Sequence, residues 1–260
     1  MTLYLKAAGV LVFASVAAAG TSGAMAQDTG TAQSGIVFDL GAAGKVTPRY
    51  AGSSELILSP VPLIRVKRLT LPNGLTFGGG SDEGLSFGPA FNVVGERSAK
   101  HAPELAGLNT IDAAVELGVA ARYQVGQFRL MGEVRRGFGG HEGFRGEIGA
   151  DLIVTPHEQW TFHGGPRLAF ADSTYTNTYF GVSPAEASAR FPATRASGGL
   201  IGAGLEAGMR YQINDAWALE GSAGWTRLTG DAARSPITAQ GSKDQFTFSL
   251  GVLRRFQIDF

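Results

Sequence analysis

The sequence predicts an all-β protein, an antiparallel transmembrane β-barrel, and three observations carry that prediction. From about Ile36 to Phe260 apolar and polar residues alternate with a two-residue period. The chain opens with an export signal, and no later stretch is long and apolar enough for a membrane helix. Successive side chains on a strand point to opposite faces, so each alternating run is apolar on one side and polar on the other. Such strands, repeated at roughly 10 residues each, are the pattern of a barrel set in lipid. In a membrane every backbone polar group needs a partner, which leaves closure into a barrel as the way to span.

The export signal comes first. Lys6 gives a positive start, Ala7 to Ala19 is apolar, and Ala24-Met25-Ala26 has the small-x-small form that precedes cleavage. The apolar run falls short of the ~20 residues a membrane helix requires. Residues 1–26 are therefore read as a signal peptide cut between Ala26 and Gln27, residues 27–34 as a mobile N-terminal tail, and residues 35–260 as one barrel domain.

The strands follow in order. Ile36, Phe38 and Leu40 share one face of the first, and Glu55 to Leu69 forms the second. Between Leu56 and Val94 the pattern weakens, because Pro60 and Pro62 interrupt pairing and Ser81-Asp82-Glu83-Gly84 reads as a turn or a bulge. From Asp112 to Val125 the alternation is clean, with Val115, Leu117, Val119, Tyr123 and Val125 on one face and Asp112, Glu116 and Arg122 on the other. Phe128 to Phe138 turns Arg129, Glu133 and Arg135 inward and places Arg136 among the outward residues. Phe144 to Val154 turns Arg145, Glu147 and Asp151 inward, and the strand from Trp160 to Phe170 turns His163 and Arg167 inward. Ile201 to Tyr211 carries Glu206 and Arg210 inside, Trp217 to Trp225 carries Glu220, and Phe246 to Phe256 completes the series. The clear runs number eleven. Both chain ends on one side demand an even count, so twelve strands are expected, with ten as the alternative.

Gly126-Gln127, Pro156-His157-Glu158 and Asn214-Asp215-Ala216 are tight turns rich in turn formers. They alternate with longer links at Gly139–Gly143, Asp172–Gly198 and Thr229–Ser242. Short periplasmic turns and long outer loops are the rule for outer-membrane barrels, which puts both ends in the periplasm. Tyr123, Phe128, Trp160, Tyr211 and Trp217 flank the tight turns, and Phe138, Phe144, Phe170 and Trp225 lie near the long loops. Two such groups are expected as aromatic belts at the membrane interfaces.

Composition excludes several classes of function. The 22 basic and 22 acidic residues balance, which argues against a nucleic-acid binder. There is no cysteine, hence no disulfide framework and no thiolate metal site. The four histidines are His101, His141 and His157 in loops or turns and His163 on a strand, and they form no His-Glu-x-x-His motif. No Gly-x-Ser-x-Gly elbow or phosphate-binding Gly-x-x-x-x-Gly-Lys occurs, and Gly78-Gly79-Gly80 reads as a flexible strand end. No cofactor, metal or catalytic residue is expected.

Several segments carry a family resemblance, above all Asn177-Thr178-Tyr179-Phe180-Gly181-Val182-Ser183-Pro184-Ala185-Glu186-Ala187 in the longest loop. Others are Pro48–Ser53, Ser59–Ile64, Leu105–Asp112, Leu228–Pro236 and Gly241–Phe246. Over most of its length the chain resembles the MipA/OmpV family of outer-membrane proteins. Arg254-Arg255-Phe256 matches the family's aromatic-Arg-Phe ending in looser form, and Gln257 to Phe260 extends beyond it in the same register. Phe260 keeps the terminal aromatic of the barrel-insertion signal. The resemblance implies residence in the outer membrane of a Gram-negative bacterium, in contact with its lipid. It also implies a scaffold role, joining a lytic transglycosylase to a penicillin-binding protein, while other members are described in relation to adhesion, osmotic response or antibiotic sensitivity. A small-solute channel and a surface adhesin are the alternative roles.

Two regions stand out as candidate sites. Within the matching loop, Ser183, Pro184 and Glu186 fit a helix start, with Ser183 as cap and Glu186 reaching back to it. This loop, with Tyr175, Tyr179 and Phe180, is a candidate contact surface or lid, set against a loop that packs for its own stability. The inward charges, Asp112 through Glu220, are the second candidate: a paired lattice that fills the lumen, or the lining of a narrow channel.

Overall fold

The computed structural model describes residues 34–73, 75–78 and 83–260. The signal peptide, the Ala26/Gln27 cleavage site, the tail up to residue 33 and residues 79–82, which include Gly79-Gly80 and Ser81-Asp82, lie outside the described residues.

The two-residue period becomes a meander of antiparallel strands: β1 (Gly35–Pro48), β2 (Leu56–Thr70), the stub β3 (Thr76–Gly78), β4 (Gly84–Val94), β5 (Ala114–Val125), β6 (Phe128–Gly139), β7 (Phe144–His157), β8 (Trp160–Ala171), β9 (Gly199–Gln212), β10 (Trp217–Leu228) and β11 (Asp244–Asp259). Ten of these are long strands and β3 spans three residues, so the count of ten holds and twelve does not. The stretch after Leu56 yields β2, β3 and β4 instead of additional full strands. Its prolines and glycines remove the donors and side chains that further pairing needs.

The order of pairing is β3-β2-β1-β11-β10-β9-β8-β7-β6-β5-β4, a nearly closed barrel. First and last strands meet with Gly35 opposite Asp259, so both ends of the barrel domain lie at the rim that carries the tight turns. Among the described residues no pairing joins β2 or β3 to β4. The final strand runs on to Asp259, and the Phe260 N–H donates to Ser34 O at 3.0 Å, so the extension past Phe256 belongs to the wall. The terminal Phe260 side chain is exposed at the periplasmic rim.

Alternation sets the two faces. Leu58, Phe87, Val119, Phe128, Leu130, Leu205 and Leu250 are exposed on the outer surface, where the surrounding medium is hydrocarbon. At one rim Trp160 packs on Tyr211 with ring centroids 4.6 Å apart, and Arg254 lies over the Trp217 ring. At the other, Arg136 sits over Phe138 and Phe144. This outward arginine keeps its charge at the interface while its stem covers aromatic surface. The β5–β6 hairpin turns at Gly126-Gln127, where Gly126 has φ +56°, the left-handed conformation glycine adopts at no steric cost.

Candidate functional site

Strand register dictates which charges meet in the lumen. Near the periplasmic end Asp39 of β1 accepts from Arg210 Nη2 of β9 at 3.1 Å and lies 3.4 Å from Arg255 Nε of β11. Arg210 Nη1 donates to Glu220 at 2.7 Å, and Glu220 also pairs with Arg65 of β2 at 2.7 Å. β1 and β9 are separated by two intervening strands, as are β2 and β10, so these pairs bridge the curved inner face.

At mid-height Asp151 sits between Arg129 Nη2 and Arg167 Nη2, each at 2.6 Å, and its side chain is fully buried. Arg167 extends to Glu206 at 3.2 Å and to Glu147 at 3.9 Å. A carboxylate held by two guanidiniums meets the requirement that a buried charge be paired and hydrogen-bonded.

Toward the outer end Glu116, also fully buried, accepts from Arg135 Nε at 3.0 Å and from Asn92 Nδ2 at 2.9 Å. Arg135 also pairs with Glu133. His141 Nε2 approaches Glu116 at 3.3 Å, and its ring meets Tyr175 and Tyr179 edge-on, with centroids 5.1 and 5.4 Å away. Gly137 makes room for that ring: a Cβ there would stand 2.2 Å from the imidazole. Arg145 lies over the Tyr175 ring.

Above this layer the outer loops form a cap. Helix α1 (Ser173–Phe180) is capped by Asp172, whose carboxylate accepts from the Tyr175 N–H at 2.8 Å. Tyr175, Tyr179 and Phe180 on α1 are buried with Ile201, Leu228 and Ala232. A second apolar cluster joins Tyr50, Leu105, Leu108, Val182, Phe191 and Ile237, drawn from four different loops. Ser235 Oγ donates to Phe180 O at 2.7 Å, and Arg97 Nη1 to Tyr179 O at 2.8 Å. Burial pushes the phenols of Tyr50, Tyr175 and Tyr179 up, so all three stay neutral at neutral pH.

The helix expected at Ser183 is a turn. Ser183 Oγ donates to Glu186 Oε2 at 2.5 Å and the Ser183 N–H to the same oxygen at 3.2 Å, so the reciprocal cap forms without a helix behind it. The helix lies upstream and ends before Gly181, whose N–H reaches Asn177 O. Asn177 Oδ1 accepts from the Ala196 N–H at 2.9 Å, and Glu186 Oε1 from the Asn109 N–H at 2.7 Å. Pro184 with Asn177, Gly181, Ser183, Glu186 and Arg97 lines an outward-facing cleft of about 700 Å³.

Of the charges expected inside, Glu116, Arg129, Glu133, Arg135, Glu147, Asp151, Arg167, Glu206 and Arg210 enter ion pairs, and Arg145 faces Tyr175. Arg122 shares their register and makes no ion pair among the described residues. Asp112 is a correction: β5 starts at Ala114, and Asp112 is exposed in the loop, where Arg97 and Ile111 exchange backbone hydrogen bonds. His157, expected in a turn, is the last residue of β7. Asp39, Arg65, Arg255 and His141 were not anticipated as site residues. Parity alone marks Asp39, set between Phe38 and Leu40; nothing local marks His141.

Among curated proteins, the outer-membrane protein Omp26La of Vibrio anguillarum is 36% identical over 76 residues, 29% of each chain. The outer-membrane protein OmpV of Vibrio cholerae is 40% identical over 70 residues, 27% of each. The match thus spans under a third of these relatives' length. Among solved structures, Neisserial surface protein A is 11% identical, covering 86% of this chain and 97% of its own at TM-score 0.31. A loop-deletion form of the outer-membrane protein OmpT of Vibrio cholerae is 8% identical, covering 86% and 100% at TM-score 0.34. The family model described as MltA-interacting protein MipA matches residues 40–256, nearly the whole barrel. The chain therefore belongs to the MipA family and is a β-barrel of the Gram-negative outer membrane.

Proposed function

We propose that this protein is a non-catalytic outer-membrane anchor that holds a lytic transglycosylase at its periplasmic rim, with a penicillin-binding protein as the second partner. The family description supplies the partner class. The observation that carries the reading is the interior: ion pairs bridge its inner face near the periplasmic rim, a chain of them ties neighbouring strands together at mid-height, and packed loops lie over its outer end. This favours a rigid support over a solute path. The periplasmic turns are small but fixed. Asn214 Oδ1 accepts from the N–H groups of Ala216 and Trp217 at 3.0 Å, and the Gly126 N–H donates to Glu83 at 2.8 Å. A docking surface that is already ordered loses little entropy when a partner binds.

Retention of a purified lytic transglycosylase by the refolded barrel in detergent is the expected result. Failure of the transglycosylase and the penicillin-binding protein alike to bind at micromolar concentration overturns the reading. A small-solute channel is the second reading, favoured by the exposure left on inward side chains: 52% for Arg65 and 38% for Glu206. Steady single-channel steps in a planar bilayer select it over the anchor.

A further inference from the structure

The outward-facing cleft in the cap has walls held by two short antiparallel bridges. Arg97 and Ile111 exchange backbone hydrogen bonds at 2.9 Å each, and Val182 and Thr194 do so at 2.8 and 2.9 Å. All four residues line the cleft, together with the C-terminal end of α1. Every lining residue is described and comes from the β4–β5 or the β8–β9 connection. Arg97 is the anomaly in this wall. It is 5% exposed, and a buried charge ordinarily has an opposite charge beside it. Among the described residues Arg97 makes no ion pair. Its Nη1 donates to Tyr179 O at the carbonyl end of α1, at 2.8 Å. That end carries partial negative charge and anchors the guanidinium by one corner. Nε is buried without an acceptor, and Nη2 donates to nothing among the described residues. The Nε–Nη2 edge is left over, and two parallel N–H groups form the fork that takes a carboxylate side-on.

The rest of the lining selects what carries that carboxylate. Glu186 stands in the same cleft, held ionised by hydrogen bonds from Ser183 and the Asn109 N–H. Its charge favours a ligand with a single negative charge over a phosphate dianion. The side-chain amide of Asn109 makes no hydrogen bond among the described residues, and the Ser183 hydroxyl oxygen can still accept. Both suit ligand hydroxyls. Ile111, Val182 and Pro184 offer apolar surface to the C–H face of a ring. One carboxylate, several hydroxyls and a C–H face together describe a sugar acid. The volume of about 700 Å³ lies within the range of small-molecule sites.

We propose that this cleft binds a hexuronate presented from outside the cell, its carboxylate taken side-on by Nε and Nη2 of Arg97. The site lies at the opposite end of the barrel from the periplasmic rim and does not depend on the anchor reading. The test titrates D-glucuronate onto the refolded protein in detergent by isothermal calorimetry, beside D-glucose and inorganic phosphate. Saturable binding of glucuronate is expected, with glucose and phosphate each at least tenfold weaker. Arg97→Gln is expected to weaken glucuronate at least tenfold. Ala193→Trp, at an exposed residue of the lining, fills the cleft without touching the guanidinium, and the same loss is expected. Lys100→Gln, exposed elsewhere on the outer loops, leaves binding unchanged. Heat-modified gel mobility and protease resistance of the loops establish that each variant is folded. If Arg97→Gln fails that check, Ala193→Trp decides. The proposal is overturned by glucuronate that does not saturate, by glucose or phosphate binding as tightly, by parental binding in either folded cleft variant, or by an equal loss in Lys100→Gln.

Discussion

The cap and the lumen are two interiors of one chain held by different physics. In the cap, Leu105, Phe191 and Ile237 are fully buried among other apolar side chains, as in a water-soluble domain. In the lumen Asp39, Glu116 and Asp151 are fully buried, each paired with an arginine. The outer face is committed to lipid, so the strands have polar side chains left for the inside. The loops stand clear of lipid and use apolar contacts instead. What fills a barrel is thus set by the medium on its other face.

The sharpest way to break this contrast is in the lumen. Asp151→Ala leaves Arg129 and Arg167 without their shared carboxylate and is expected to destabilise the barrel by about 3–5 kcal/mol. Urea unfolding from lipid vesicles measures it, and a loss below about 1 kcal/mol shows that lumen water replaces the carboxylate. In the cap, Leu105→Ala removes a buried apolar side chain and is expected to cost about 2–5 kcal/mol. That loss is expected to be local: faster protease nicking of the loops with an unchanged urea midpoint for the strands. Equal shifts in both readouts merge the two interiors into one cooperative unit.

Smaller effects sharpen the boundary. Asp172→Ala removes the α1 cap and is expected to cost about 1 kcal/mol, read as faster hydrogen exchange at Tyr175 and Thr176. Glu186 gives the mildest handle. Burial raises its carboxyl pKa, but hydrogen bonds from Ser183 and the Asn109 N–H outweigh burial and hold it below the usual carboxylate range. A depressed folded-state value means the contribution is complete above the unfolded value of about 4.3 and is lost as pH falls through the folded one. The protection of the Asn109 amide, its exchange taken relative to the intrinsic rate at each pH, is expected to hold at pH 7 and to fall only in acid. Glu186→Gln is expected to abolish that pH dependence.

Much of this was legible in the residues. Strand parity is a local property, so the segments from Val115 to Phe256 and most inward charges can be read directly. Where prolines and glycines interrupt parity, between Leu56 and Val94, the strand count could not be read. The α1 helix was hidden because Ser, Thr, Asn and Tyr are indifferent helix formers. Its order comes from burying Tyr175 and Tyr179, four residues apart, against other loops. Ser183-Pro184-Ala185-Glu186 has the local chemistry of a cap, yet the chain bends away to join the cap's second cluster through Phe191. Pairs such as Asp39–Arg210 join strands far apart in sequence, and their meeting depends on strand number and stagger, which no single strand encodes.

The union of β1 with β11 has a consequence for biogenesis. These are the most distant strands of the sheet in sequence, and the pairing that joins them runs from Gly35–Asp259 to Val46–Phe248. Contacts of such long sequence separation are slow to form. Until β11 is in place, β1 keeps one edge bare, and a bare edge is a template on which another chain can pair. Closure of the wall is thus also what removes that hazard.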